Sequence, residues 1–126
     1  MFPKHKVWLE LSQKKLKYNY RRLRTRLSFA TKLFAVVKSN AYGHGLVTFS
    51  QLADKLGVNG FCVDSVIEGS KLRKSGIDKP IIVLGVTLPD VLQLALENNL
   101  TITVASLKFL EFLKKYSPRL PFHLKI

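Results

Sequence analysis

Short apolar runs alternate along this chain with longer stretches in which apolar residues recur every three or four positions. A short apolar run between turn-forming residues is typical of a buried strand, and the wider spacing is typical of an amphipathic helix. The short runs predict five strands, at residues 34–37, 60–63, 81–85, 101–105 and 122–126. We therefore expect strands and helices to alternate along the whole chain.

The first predicted helix begins after Ser12, which is a good N-cap residue. One face carries an apolar stripe that should pack inward, formed by Leu16, Tyr20, Leu23 and Leu27. The other faces carry basic side chains, which are Lys14, Lys15, Lys17, Arg21, Arg22 and Arg24. We expect these charges to face water.

Four more helices are predicted between the later strands from their start and stop signals. These signals are Gly57, the capping-box pair Ser65 and Glu68, Gly76, Pro89, Asn98 with Asn99, Ser106, and the helix-breaking pair Ser117 and Pro118. The predicted strand centres are then 20 to 27 residues apart, which is the spacing of βα units in a parallel sheet. Such an α/β pattern fits both a (β/α)8 barrel and a doubly wound sheet, and periodicity does not choose between them.

Composition places the chain among globular proteins with a folded core. It has 126 residues, of which 47% are apolar, and its mean hydropathy is +0.09. It lacks an apolar run long enough for a membrane span, and its N-terminus lacks the apolar core of a signal peptide. We therefore expect a cytoplasmic protein without a membrane partner.

The charge of the chain is strongly positive and unevenly distributed. The formal net charge is +13, and residues 1–32 hold ten Lys and Arg residues against a single acidic one, Glu10. Such a segment can attract nucleic acid or anionic lipid. The sequence contains no recognisable nucleic-acid module, however, and the charges fall on the polar face of a helix. We expect a solvated surface, with nucleic acid not among the partners.

The remaining reactive side chains are scattered. Cys62 lies within an apolar run and should be a buried, inert thiol. His5 and His123 are isolated, and because no His, Cys or carboxylate residues cluster at ligand spacing, we predict no metal site. Three carboxylates, Asp54, Asp64 and Glu68, do not form a convincing acid/base pair.

Residues 35–45, AVVKSNAYGHG, form the most informative stretch of the chain. A predicted apolar strand ends abruptly in Lys38, and a loop follows that turns on two glycines flanking His44. An amine at the end of a buried strand is a candidate for Schiff-base chemistry with a carbonyl cofactor. The alternative is an ordinary lysine that reaches into water. An imidazole can act as an acid or a base near neutral pH, but we expect His44 to serve the turn.

This stretch is similar to the cofactor-lysine motif of the alanine racemase family, which usually has alanine at the position of Ser39. The resemblance implies that the cofactor is pyridoxal 5'-phosphate and that Lys38 binds it as a Schiff base. It also implies that Lys38 is one of two acid/base groups at the α-carbon of the substrate. The motif tyrosine, Tyr42, would reach the phosphate of the cofactor.

Less specific similarity extends over the rest of the chain. Val36 and Leu84 match family residues beside the cofactor, although both positions are equally compatible with ordinary barrel core. Lys125 matches a lysine that is carbamylated in many members of the family. The resemblance also favours the barrel over the doubly wound sheet. Residues 1–126 would then form about the first four and a half βα units of an eight-stranded barrel, without the β-rich C-terminal domain.

The resemblance implies an enzyme that interconverts L-alanine and D-alanine for peptidoglycan synthesis and works as a homodimer. In the family, the second acid/base group is a tyrosine from the C-terminal domain of the other subunit. The chain alone is therefore expected to be incomplete for catalysis. Serine or another small amino acid remains open as the substrate. The alternative function is a non-catalytic barrel fragment or module that binds the same cofactor.

Overall fold

The computed structural model describes residues 6–116 and 119–126. The elements in chain order are α1 Gln13–Arg24, β1 Phe34–Val36, α2 Lys38–Tyr42, α3 Leu46–Leu56, β2 Gly60–Val63, α4 Val66–Lys74, β3 Ile81–Val86, α5 Leu92–Glu97, β4 Thr101–Val104, α6 Leu107–Tyr116 and β5 Phe122–Leu124. A 3-10 turn, Pro89–Val91, precedes α5. Each of the five predicted strands is present, with ends that differ from the prediction by no more than two residues.

The five strands form one sheet in the order β1-β2-β3-β4-β5, and every neighbouring pair is parallel. A doubly wound sheet would reverse its strand order at a switch point. Sequential order with right-handed crossovers instead places the connecting helices on one face of the sheet. The topology is therefore that of the first half of a (β/α)8 barrel, as the family resemblance implied.

The helix-covered face of the sheet, which we call the outer face, contains the hydrophobic core. Its fully buried side chains are Phe61, Val63, Ile81, Val83, Ile102 and Val104. Successive strand residues point to opposite faces, so the residues between these belong to the inner face. Val36, Cys62 and Ile82 form one row across the inner face, and Val36 is 43% exposed. Cys62 is buried and Ile82 is half-buried, so the inner face is less buried than the outer one mainly at the position of Val36.

The first helix packs less completely than predicted. Leu16 and Tyr20 are half-buried, and the Tyr20 hydroxyl donates to the Gly57 carbonyl oxygen at 3.0 Å. Leu23, however, is 57% exposed. It borders a cavity of about 150 Å³ between α1, β1 and α3, so this part of the stripe lines a gap instead of filling the core.

One of the six basic residues of α1 that were predicted to face water, Arg24, does not do so. Arg24 is half-buried, and its guanidinium donates to the carbonyl oxygens of Ser28 and Thr31. It therefore closes the loop after α1 and does not belong to the solvated face. The five other predicted basic residues of α1 are exposed. The predicted helix break at Ser117 and Pro118 lies outside the described residues.

Candidate functional site

Both lysines that the sequence singled out lie at the same edge of the sheet. Lys38 comes just after β1, and Lys125 just after β5, where its backbone N–H donates to the Val104 carbonyl oxygen at 2.8 Å. Because all five strands are parallel, both residues lie at the carboxyl edge. Active sites of (β/α)8 barrels are built at this edge.

The chain leaves β1 through an unusual turn. Ser39, Asn40, Ala41 and Tyr42 all have positive φ angles, between 53° and 55°, so α2 is left-handed after Lys38. Each non-glycine residue in this conformation costs roughly 1–2 kcal/mol, somewhat less for asparagine. The two glycines of the predicted loop, Gly43 and Gly45, have φ angles of 88° and 92°, as a turn on these residues requires, but the reversal already begins at Ser39. Such a strained segment persists only when its surroundings hold it.

Asn40 is the hydrogen-bonding centre of this turn. Its carbonyl oxygen accepts from the N–H groups of Gly43 and Gly45, at 3.1 and 3.0 Å. Its side-chain oxygen accepts from the N–H of Leu46 at 2.9 Å and thereby caps the start of α3. Its own N–H donates to Glu68 Oε1 at 2.9 Å. The turn is therefore tied to the two helices that flank it.

Glu68 connects this turn to the end of the neighbouring strand. Its second carboxylate oxygen, Oε2, accepts from the N–H of Asp64, directly after β2, at 2.9 Å. The predicted capping box is only half present. Ser65 Oγ accepts from the N–H of Glu68 at 3.2 Å, but the glutamate carboxylate bonds Asp64 and Asn40 instead of returning to the N–H of Ser65. The spacing of Ser65 and Glu68 in the sequence does not indicate this bridging role.

The side chains of Lys38 and Tyr42 make no hydrogen bond or ion pair with any other residue that the structure describes. Lys38 is half-buried and Tyr42 is 61% exposed. The turn thus presents a primary amine and a phenolic hydroxyl that are free to bind a ligand. This pair of groups fits an aldehyde cofactor that also carries a phosphate, because the amine can condense with the aldehyde and the hydroxyl can donate to the phosphate.

Comparison with known proteins identifies the family of this chain. Residues 11–126 match the family model described as "Alanine racemase, N-terminal domain". The chain belongs to the alanine racemase family. An alanine racemase from Streptococcus equi subsp. zooepidemicus is 46% identical over 111 residues, which are 86% of this chain and 30% of that protein. The chain therefore spans about a third of the length of such relatives.

Solved structures of racemases have the same fold over this region. The alanine racemase from Oenococcus oeni has a TM-score of 0.81 and 36% identity, and the match covers 91% of this chain and 34% of that one. A histidine racemase from Leuconostoc mesenteroides subsp. sake has a TM-score of 0.75 and 28% identity, with 90% and 35% covered. Proteins with this fold thus include racemases named for different amino acids.

The two apolar residues matched to the cofactor site of alanine racemases both lie on the inner face. Val36 is the last residue of β1, and Leu84, which is 38% exposed, lies further along β3. The register between β3 and β4 is irregular from Ile82 to Val86, so Leu84 lies in a bulged part of the strand. Both residues leave apolar surface exposed at the edge where Lys38 emerges. The assignment of either one to a cofactor remains a prediction.

The other candidates lie around or away from this turn. His44 is exposed and stacks on Phe49, with ring centroids 5.9 Å apart, which is compatible with the predicted role in the turn. Cys62 is buried, as predicted, and its burial raises the pKa of the thiol. His123 is exposed on β5, whereas His5 lies outside the described residues.

Proposed function

We propose that this chain is the N-terminal, cofactor-binding part of an alanine racemase, with residues 1–126 belonging to its barrel domain. The observation that carries the proposal is the half-buried Lys38 amine, which has no partner among the described residues and follows β1 of a barrel in this family. Pyridoxal 5'-phosphate is the proposed cofactor, Lys38 the residue that binds it covalently, and Tyr42 the residue that binds its phosphate.

The chemistry divides between the cofactor and the chain. When bound, pyridoxal 5'-phosphate withdraws electrons from the substrate and makes the proton on the α-carbon easier to remove. The Nζ of Lys38 would take this proton from one side of the α-carbon and return it there. Val36 and Leu84 would contribute apolar surface that keeps water from the reacting atoms. Lys125 is the proposed site of carbamylation.

Racemisation also needs an acid/base group on the opposite side of the α-carbon. We assign this second group to the part of the full-length homodimer that lies outside residues 1–126. Alanine is the proposed substrate, for peptidoglycan synthesis in the cytoplasm, because the relative from Streptococcus equi is named for alanine. Among the described residues, no helix is long and apolar enough to cross a membrane.

The experiment that tests the cofactor lysine is reduction with borohydride in the presence of pyridoxal 5'-phosphate, followed by peptide mapping. We expect the pyridoxyl label on Lys38. Lys32 is exposed and measures the background in the same molecule. Lys38→Ala should remove the selective label and leave this background unchanged. Label on Lys32 or Lys125 without label on Lys38 would contradict the assignment.

Turnover separates the racemase from the binding module. The natural polypeptide that carries these residues should racemise alanine in the presence of the cofactor, and alanine should be a better substrate than serine or histidine. Selective labelling of Lys38 without turnover of any amino acid would instead support the non-catalytic module. Faster turnover of histidine or serine would retain the racemase chemistry and correct the substrate.

A further inference from the structure

The two polar groups that are proposed to bind the cofactor lie at the two ends of the left-handed turn at residues 39–42. Lys38 directly precedes it, and Tyr42 is its last residue. Ser39, Ala41 and Tyr42 have no intrinsic preference for a positive φ angle. The turn therefore needs a partner that favours this backbone conformation, and the direction in which both side chains leave the chain depends on that partner.

We propose that Glu68 is a positioning residue for Lys38 and Tyr42, an inference that rests on the proposed function. Its two carboxylate oxygens accept from Asn40 N and Asp64 N, each at 2.9 Å. The carboxylate thus joins the turn after β1 to the end of β2. Hydrogen bonds to a charged acceptor are stronger than those between neutral groups, which suits a bridge that has to hold strained backbone.

The position of Glu68 supports this role over that of a simple helix cap. A capping glutamate at this spacing would bond the N–H of Ser65 and stabilise α4 alone. Glu68 instead bonds one residue further back and also reaches across to the neighbouring βα unit, 28 residues away. The N-cap bond of α4 is made separately, by Ser65 Oγ. Capping of α4 and support of the turn can therefore be removed independently.

The decisive variant is Glu68→Gln, because an amide offers one acceptor oxygen where two backbone N–H groups have to be satisfied. Ser65→Ala is the matched control for a weaker α4, since it removes the cap without touching Asn40. Glu111→Gln makes the same change of charge at an exposed position of α6. All variants are made in the natural polypeptide that carries these residues, and its folded fraction is checked by circular dichroism.

Two readouts are compared. The first is the ratio of pyridoxyl label on Lys38 to label on Lys32 after brief exposure to pyridoxal 5'-phosphate and borohydride. We expect Glu68→Gln to lower this ratio about tenfold, and both controls to leave it within about twofold of the wild-type ratio. The second is amide hydrogen exchange without cofactor, in which the N–H of Asn40 should exchange faster in Glu68→Gln than in Ser65→Ala.

The outcomes test the positioning role of Glu68 separately from the proposed function of Lys38. An unchanged ratio in Glu68→Gln, with wild-type label on Lys38, overturns the positioning role and leaves the proposed function intact. If the wild-type protein carries no more pyridoxyl label on Lys38 than on Lys32, the proposed function is overturned, and this inference with it. An equal fall of the ratio in Ser65→Ala would assign the effect to α4 and also overturn the inference. If Glu68→Gln does not fold, Glu68→Asp replaces it, because its shorter carboxylate cannot reach both N–H groups.

Discussion

The two faces of the sheet are buried to very different degrees. On the outer face, side chains such as Phe61, Ile81 and Ile102 are fully buried, whereas Val36 and Leu84 on the inner face are 43% and 38% exposed. Each helix covers the outer face as it follows its strand, so local βα units suffice to bury it. A barrel covers its inner face only when the sheet closes on itself. Burial of the outer face thus depends on the local βα units, whereas burial of the inner face depends on closure of the barrel.

The less buried face is also the one from which the candidate site is built. A ligand site needs concave surface that the protein's own side chains leave unfilled. Val36 and Leu84 provide apolar surface at the carboxyl edge of the sheet, where Lys38 emerges from β1. The outer face therefore stabilises the fold, and the inner face is available for binding.

The largest expected effect concerns two neighbouring isoleucines on opposite faces. Ile81 is fully buried on the outer face, and Ile82 is half-buried on the inner face. Ile81→Ala should lower the free energy of unfolding by about 2–5 kcal/mol. Ile82→Ala should cost less, because part of its side chain already contacts water. Urea unfolding of residues 1–126, at a concentration at which the chain is monomeric, measures both losses. Equal losses would contradict the difference between the faces.

A second prediction concerns association of the isolated chain. Residues 1–126 alone expose apolar side chains on the inner face, and large exposed apolar patches promote association. We expect the isolated chain to self-associate as its concentration rises, and Leu84→Thr to weaken this association on the order of tenfold. Ile67→Thr, at a 48% exposed position of α4, is the control without effect. Sedimentation velocity would contradict the prediction if the wild-type chain stayed monomeric at all concentrations.

Sequence predicted most of the architecture because parallel strands are buried by short, continuous apolar runs. The run at residues 60–63 corresponds to β2 without a shift at either end. The glycine signals were equally reliable, since Gly57 and Gly76 have φ angles of 93° and 90° after α3 and α4. The motif around Lys38 located the candidate site because its residue types are specific enough to identify a family. Apolar runs and glycine signals thus account for the predicted strands and helix ends, and the motif around Lys38 accounts for the predicted site.

The sequence did not predict features that depend on contacts between distant segments. Ser39, Ala41 and Tyr42 have no local preference for the left-handed region, and the partner of the turn, Glu68, has a spacing that suggests an ordinary cap. The role of Arg73 is also not indicated by the local sequence, because a basic residue in the last turn of a helix is usually solvated. Its guanidinium instead donates to four backbone carbonyl groups, those of Ile77, Lys79, Asn98 and Asn99. These contacts arise only once the βα units have packed together.

The smallest expected effect is on the pH dependence of stability, and it tests whether water is excluded from the inner face around Cys62. Burial raises the pKa of this thiol, so the folded chain keeps its proton at pH values where the unfolded chain has begun to lose it. The folded state then binds more protons, and its stability falls as the pH rises above about 8.5, the ordinary thiol pKa. Below that pH both states are protonated, and the contribution does not vary.

Cys62→Ala removes the titrating group, and the packing cost of the substitution is the same at every pH. The free energy of unfolding of the wild type, minus that of Cys62→Ala, should therefore stay constant from about pH 7 to 8 and decrease from about pH 9 to 10. Urea unfolding with reductant present measures this difference, and a difference that stayed constant up to about pH 10 would show that water reaches the inner face at Cys62.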